Sequence, residues 1–166
     1  MVVIGIDPGI AITGYGIIRQ EQNGNIVVVD YGAIITSSST HVEGERLAII
    51  FQQLNELLEL HRPDAGAVEK LFFQKNTRTA MAVGQARGVV LMTLALKDIP
   101  VYEYAPVEVK QALTGYGGAD KRQMQEMIKL RLDLCEIPKP DDIADALAIA
   151  LCHLQSHRFR RYEGQG

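Results

Sequence analysis

The sequence predicts an α/β domain built on a five-stranded mixed sheet, its first three strands antiparallel, with helices on both faces. Three observations carry this. Three apolar runs fall within the first 35 residues with only turn residues between them, which is the spacing of a meander. Two further short runs, 65–69 and 101–104, each follow a long stretch of helical periodicity, the pattern that feeds strands into a sheet through crossovers. The 166 residues are 47% hydrophobic and 22% charged, enough for one domain with its own core.

The elements follow in order. Val2–Ile6 is a strand, Tyr15–Arg19 a second and Ile26–Ile35 a third; Gly9 and Gly14 mark the first turn and Gln22-Asn23-Gly24-Asn25 the second. Leu47, Ile50, Phe51, Leu54, Leu57 and Leu58 recur at helical spacing, which predicts an amphipathic helix over 42–60 that Arg62-Pro63-Asp64 ends. Ala65–Glu69 is a short buried strand. Residues 70–76 form a loop, and Thr77–Leu96 a long helix rich in Ala and Gly, whose small residues permit close approach of another helix. Val101–Tyr104 is the fifth strand, Pro106 starts a short helix through Leu113, and Asp120–Leu132 forms another after the turn Gly115-Tyr116-Gly117-Gly118. Pro138 and Pro140 break the chain, Asp141 is the expected N-cap, and the last helix is expected over 142–155. Residues 1–157 thus read as a single domain and 158–166 as a short, basic, flexible tail.

Charge is unevenly spread. The net charge of −3 divides into −6 over residues 1–69, +5 over 70–131 and −2 over 132–166. A basic middle flanked by acidic ends suits a protein that meets phosphates with one part and holds cations with another. No apolar run reaches membrane-spanning length and the two cysteines, Cys135 and Cys152, are too few for a disulfide framework, so a cytoplasmic location without membrane contact is expected.

Four carboxylates stand out. Asp7 ends the first strand before Pro8-Gly9, Glu69 ends the fourth, and Asp142 and Asp145 share a face in the first turn of the last helix. Acids at strand ends serve a hydrophobic core badly, but together they can hold two Mg²⁺ ions about 4 Å apart against a phosphate. Taken singly, each has a plainer reading: Asp7 as a turn former, the helix pair as charges placed at the positive end of the helix dipole.

These residues also carry a family likeness. Ile4-Gly5-Ile6-Asp7-Pro8-Gly9 with Thr13-Gly14-Tyr15-Gly16 resembles the opening of RuvC-type Holliday-junction endonucleases. So do Glu69 followed by Phe72 and Lys75-Asn76, the block Gly84-Gln85-Ala86-Arg87-Gly88, and Asp142-x-x-Asp145-Ala146-Leu147-Ala148-Ile149-Ala150, in order over 2–153. The resemblance implies an RNase H-like three-layer fold and a homodimer joined through the long helix. It implies symmetric paired nicks in a four-way DNA junction, leaving 5′-phosphate and 3′-hydroxyl ends, in recombination and DNA repair beside the branch-migration proteins RuvA and RuvB. It implies Asp7, Glu69, Asp142 and Asp145 as catalytic ligands of two Mg²⁺ per subunit, with Mn²⁺ an alternative; some relatives have His at the position of Asp142, and Asp here keeps the donor set all oxygen. It matches Lys110 and Lys121 to phosphate-binding lysines, with Lys121 also placed among the catalytic residues to offset charge on the transition state. Phe72 matches an aromatic that meets unpaired bases, with Phe73 competing for that role; Lys75, Arg78 and Arg122 complete the expected DNA contacts. Arg87 could reach DNA or pair across the dimer.

Other readings are weaker. Cys135, Cys152, His153 and His157 lack the short paired spacing of a zinc site. Thr114-Gly115-Tyr116-Gly117-Gly118-Ala119-Asp120-Lys121 is not a P-loop, because no Gly precedes Lys121 and Arg follows it. An actin-like or sugar-kinase fragment would need a second, similar domain. A non-catalytic junction-binding module would gain nothing from concentrated negative charge beside phosphate, and a nuclease acting on RNA/DNA hybrids would share the same metal site.

Overall fold

The structure is a computed structural model that describes the backbone of residues 1–70 and 77–163. Strands β1 (Val2–Asp7), β2 (Ile12–Gln20) and β3 (Ile26–Ile35) form the antiparallel meander. Helix α1 (Glu43–His61) leads to β4 (Ala65–Glu69), and α2 (Thr77–Leu96) to β5 (Val101–Tyr104). Helices α3 (Pro106–Thr114), α4 (Lys121–Arg131) and α5 (Asp141–Glu163) follow. The sheet order is β3-β2-β1-β4-β5, with β4 parallel to both β1 and β5. This is the expected mixed sheet, with β1 at its centre.

Strand alternation sorts two cores. Ile4, Ile6, Ile17 and Val68 face α1 and α2 and pack with Ile50, Leu54, Val90 and Leu94. Val3, Ile18 and Ala67 face the other way, onto α3, α4 and α5, where Val109, Ile128, Leu147 and Leu151 are buried. By the same period of two, Asp7 and Glu69 project to the α5 side.

Helix α5 lies directly on β1 and β2 because those strands offer glycine where it crosses. A Cβ on Gly5 would strike the Ala146 carbonyl and Ala150, one on Gly14 the backbone of Asp142, and one on Gly16 the Leu147 side chain.

Several boundaries differ from the sequence reading: β2 begins at Ile12, so Gly14 is a strand residue paired with Asp7 and not part of the turn. Asp141 is the first residue of α5, not its cap, and its carboxylate is engaged by side chains of α4 and the preceding loop. The helix also continues past Gln155 to Glu163. No described helix is long and apolar enough to cross a membrane.

Candidate active site

Asp7 and Glu69 meet because their strands are parallel neighbours. Ile6 pairs with Val68, so the next residue of each strand leaves the sheet at the same level. Behind Asp7 the turn is closed by Thr13, fully buried, whose Oγ1 donates to the Gly9 carbonyl at 2.7 Å. Asp142 arrives through two contacts. Asp7 pairs with Gly14 in the β1–β2 register, and Gly14 lies under the Asp142 backbone. One turn on, Asp145 follows on the same face of α5.

The electrostatics record this convergence. Burial, and then repulsion from Glu69, Asp145 and Asp142, pushes the Asp7 carboxyl up to about 7 against a smaller opposing pull from Lys121. Glu69 is raised by burial and then by Asp145. Asp145 is raised by burial, with Lys121 pulling it down and Asp142 and Asp141 pushing it up. Among the described residues no three His, Cys, Asp or Glu side chains are already grouped to hold a metal ion. This applies to the four carboxylates and to Cys135, Cys152, His153 and His157 alike. The carboxylates are nevertheless half-buried, mutually repelling and all oxygen, a donor set that suits a hard divalent cation.

The two lysines singled out in the sequence come to the same place. A cleft of about 220 Å³ is lined by Glu69 and Asp145 together with Lys110 and Lys121, and by the apolar Val109, Met124 and Ile149. Lys121 is delivered by a capping box at the start of α4: Asp120 Oδ1 accepts from the Gln123 N–H and Gln123 Oε1 from the Asp120 N–H, each at 2.9 Å. Its ammonium lies 2.9 Å from Asp141 Oδ2 and 4.0 Å from Asp145 Oδ2. Arg122 is exposed beside it. Phe72, Phe73 and Lys75 lie outside the described residues; Arg78 belongs to the first turn of α2, and its side chain lies outside them too.

Two contributors were not legible beforehand. Within the chain Arg87 pairs with Glu103, and its Nε donates to the Glu69 carbonyl at 3.5 Å, joining α2 to the ends of β4 and β5. Asp141 pairs with Lys121; the doublet Asp141-Asp142 was the available signal, but only the packing of α4 against α5 says which acid turns to which group.

A family model described as crossover junction endodeoxyribonuclease RuvC matches residues 3–153. The protein of that name from Caldicellulosiruptor saccharolyticus is 52% identical over 98% of both chains, and that from Roseiflexus is 57% identical over 90% of this chain and 88% of its own. Among solved structures, Thermus thermophilus RuvC in complex with Holliday junction substrate superposes with a TM-score of 0.87 at 38% identity, covering 96% of each chain.

Proposed function

This chain belongs to the RuvC family and is a crossover junction endodeoxyribonuclease, a Holliday-junction resolvase of recombination and repair, and we propose how its residues do that work. The family's nucleases depend on metal; two Mg²⁺ per subunit, replaceable by Mn²⁺, are the ions this donor set fits. Asp7, Glu69, Asp142 and Asp145 would hold them. When bound, such ions supply an activated water and stabilise the leaving oxygen.

The remaining steps belong to the chain. The observation that carries the reading is one cleft lined both by two half-buried acids that repel each other, Glu69 and Asp145, and by two lysines. The acids attract cations; Lys110 and Lys121 receive the phosphodiester that would otherwise be repelled by the same acids. Lys121 offsets charge that builds on the phosphorus oxygens in the transition state. Arg87 steadies the backbone at Glu69. Phe72 and Phe73 remain the proposed base contacts, with Lys75, Arg78 and Arg122 along the DNA backbone. A homodimer would present two such clefts and give paired, symmetric nicks with 5′-phosphate and 3′-hydroxyl ends. Support for it comes from Gly84 and Gly88 on α2, where an added Cβ would meet nothing within 4 Å, leaving a close-packing face open. Work beside RuvA and RuvB, in the cytoplasm, is the setting this reading expects.

The test is a nicking assay on a mobile four-way junction with Mg²⁺ or with EDTA, run beside linear duplex and an RNA/DNA hybrid. Symmetric, Mg²⁺-dependent nicks confined to the junction are expected. Cutting of the hybrid instead would keep the metal site and overturn the substrate; junction binding without nicks would leave a binding module.

A further inference from the structure

Lys121 stands in the first turn of α4, at the positive end of that helix's dipole, where a cation is poorly placed without a carboxylate. The cap residue Asp120 is already committed to the Gln123 N–H through Oδ1. Two acids of α5 lie within reach. Asp145 is 4.0 Å away and half-buried; Asp141 is nearer, at 2.9 Å. Asp141 is in turn fixed from two further sides, by Gln125 Nε2 at 3.0 Å and Lys139 Nζ at 3.4 Å. Lys121 is exposed over 58% of its side chain and long enough to choose either acid. A lysine closing on Asp145 would neutralise a carboxylate that a cation needs.

We propose that Asp141 is a positioning residue: its carboxylate holds the Lys121 ammonium at the rim of the cleft and keeps it off Asp145, leaving Asp145 open to a divalent cation. The inference rests on the reading of Asp145 as a metal ligand. It explains why an acid outside the quartet is braced by three side chains. It also explains how one lysine can serve phosphate without competing for the metal site: an exposed ion pair is weak enough for an incoming phosphate to take the ammonium over.

The experiment is a double-mutant cycle on the DNA-free full chain, with Mn²⁺ alone as the probe and free Mn²⁺ counted by electron paramagnetic resonance. Asp141→Asn is expected to weaken Mn²⁺ binding about fivefold when Lys121 is present and less than about twofold in a Lys121→Met background, because no ammonium is then left to close on Asp145. Asp141→Glu, which keeps the carboxylate and guards against a folding defect in the Asn variant, is expected to bind Mn²⁺ as the unmodified chain does. Equal weakening in both backgrounds would show a remote charge effect and overturn the proposal, as would no weakening in either, or failure of the Glu variant to rescue. Absence of Mn²⁺ binding by the unmodified chain would overturn the metal-ligand reading together with this inference; binding with additive effects would overturn this inference alone.

Discussion

Helix α5 carries polar side chains toward both ends of its buried stretch, and the fold treats the two ends in opposite ways. At the far end His153 is 1% exposed, its Nδ1 shares a hydrogen bond of 2.8 Å with the Tyr104 hydroxyl, and the Tyr102 ring lies against it with centroids 4.5 Å apart. There a hydroxyl and a ring nitrogen share a hydrogen bond within the core, as buried polar groups ordinarily do. At the near end Asp142 and Asp145 meet Asp7 and Glu69, four groups of one sign that can only accept hydrogen bonds when ionised. The contrast separates architecture from chemistry in this molecule: a buried pair joined by its own hydrogen bond ties α5 to β5, whereas acids that repel one another are the ones proposed above to take a cation.

The sharpest way to break that contrast is to remove one charge from the near end. Asp7→Asn should lower junction cleavage by about 10³-fold in Mg²⁺ while leaving binding intact in a gel-shift assay; loss of binding as well would make Asp7 structural. The seat of the near end comes next. Gly14→Ala would drive a methyl into the backbone of Asp142, costing about 3 kcal/mol in urea unfolding and reducing cleavage with it.

Acidity then separates the two ends without mutation. The Asp7 carboxyl is raised from the ordinary aspartate range to about 7 in the folded chain, so folding favours its protonated form. The stabilisation is complete at low pH and is lost as pH rises through 7. Metal-free protein should therefore lose about 2 kcal/mol of stability between pH 5 and pH 8, with Glu69 and Asp145 acting in the same direction. Urea midpoints across that range check this, and Asp7→Asn should flatten the slope. The smallest expected effect lies at the far end. Tyr104→Phe removes the hydrogen bond to His153 and should cost about 1 kcal/mol with the cleavage rate unchanged; a fall in rate to match would mean that this cluster, too, bears on the site.

Much of this was readable before any coordinates. The meander was carried by Gly and Asn at its turns, and β4 and β5 by short apolar runs between helical periods; both signals are local. The four acids were legible because each breaks an apolar pattern at its edge. The error at Asp141 has the same root: an Asp after Pro140 has the local chemistry of a cap, and nothing near it in the chain reveals that Lys121 and Gln125 of α4 engage its carboxylate. Arg87 stayed ambiguous for a related reason, since its partners are Glu103 and the Glu69 carbonyl, sixteen and eighteen residues away along the chain.

The amino-acid order by itself determined the elements, the residue types at their ends and the family likeness, because period, turn chemistry and capping act over a few residues. Only the tertiary structure decided which carboxylates face one another, which lysines share their cleft and which acid holds Lys121. Those outcomes depend on strand register between β1 and β4, on the glycines that let α5 descend onto the sheet, and on the packing of α4 against α5. Each joins residues far apart in sequence, and electrostatic coupling follows distance in space, not position in the chain.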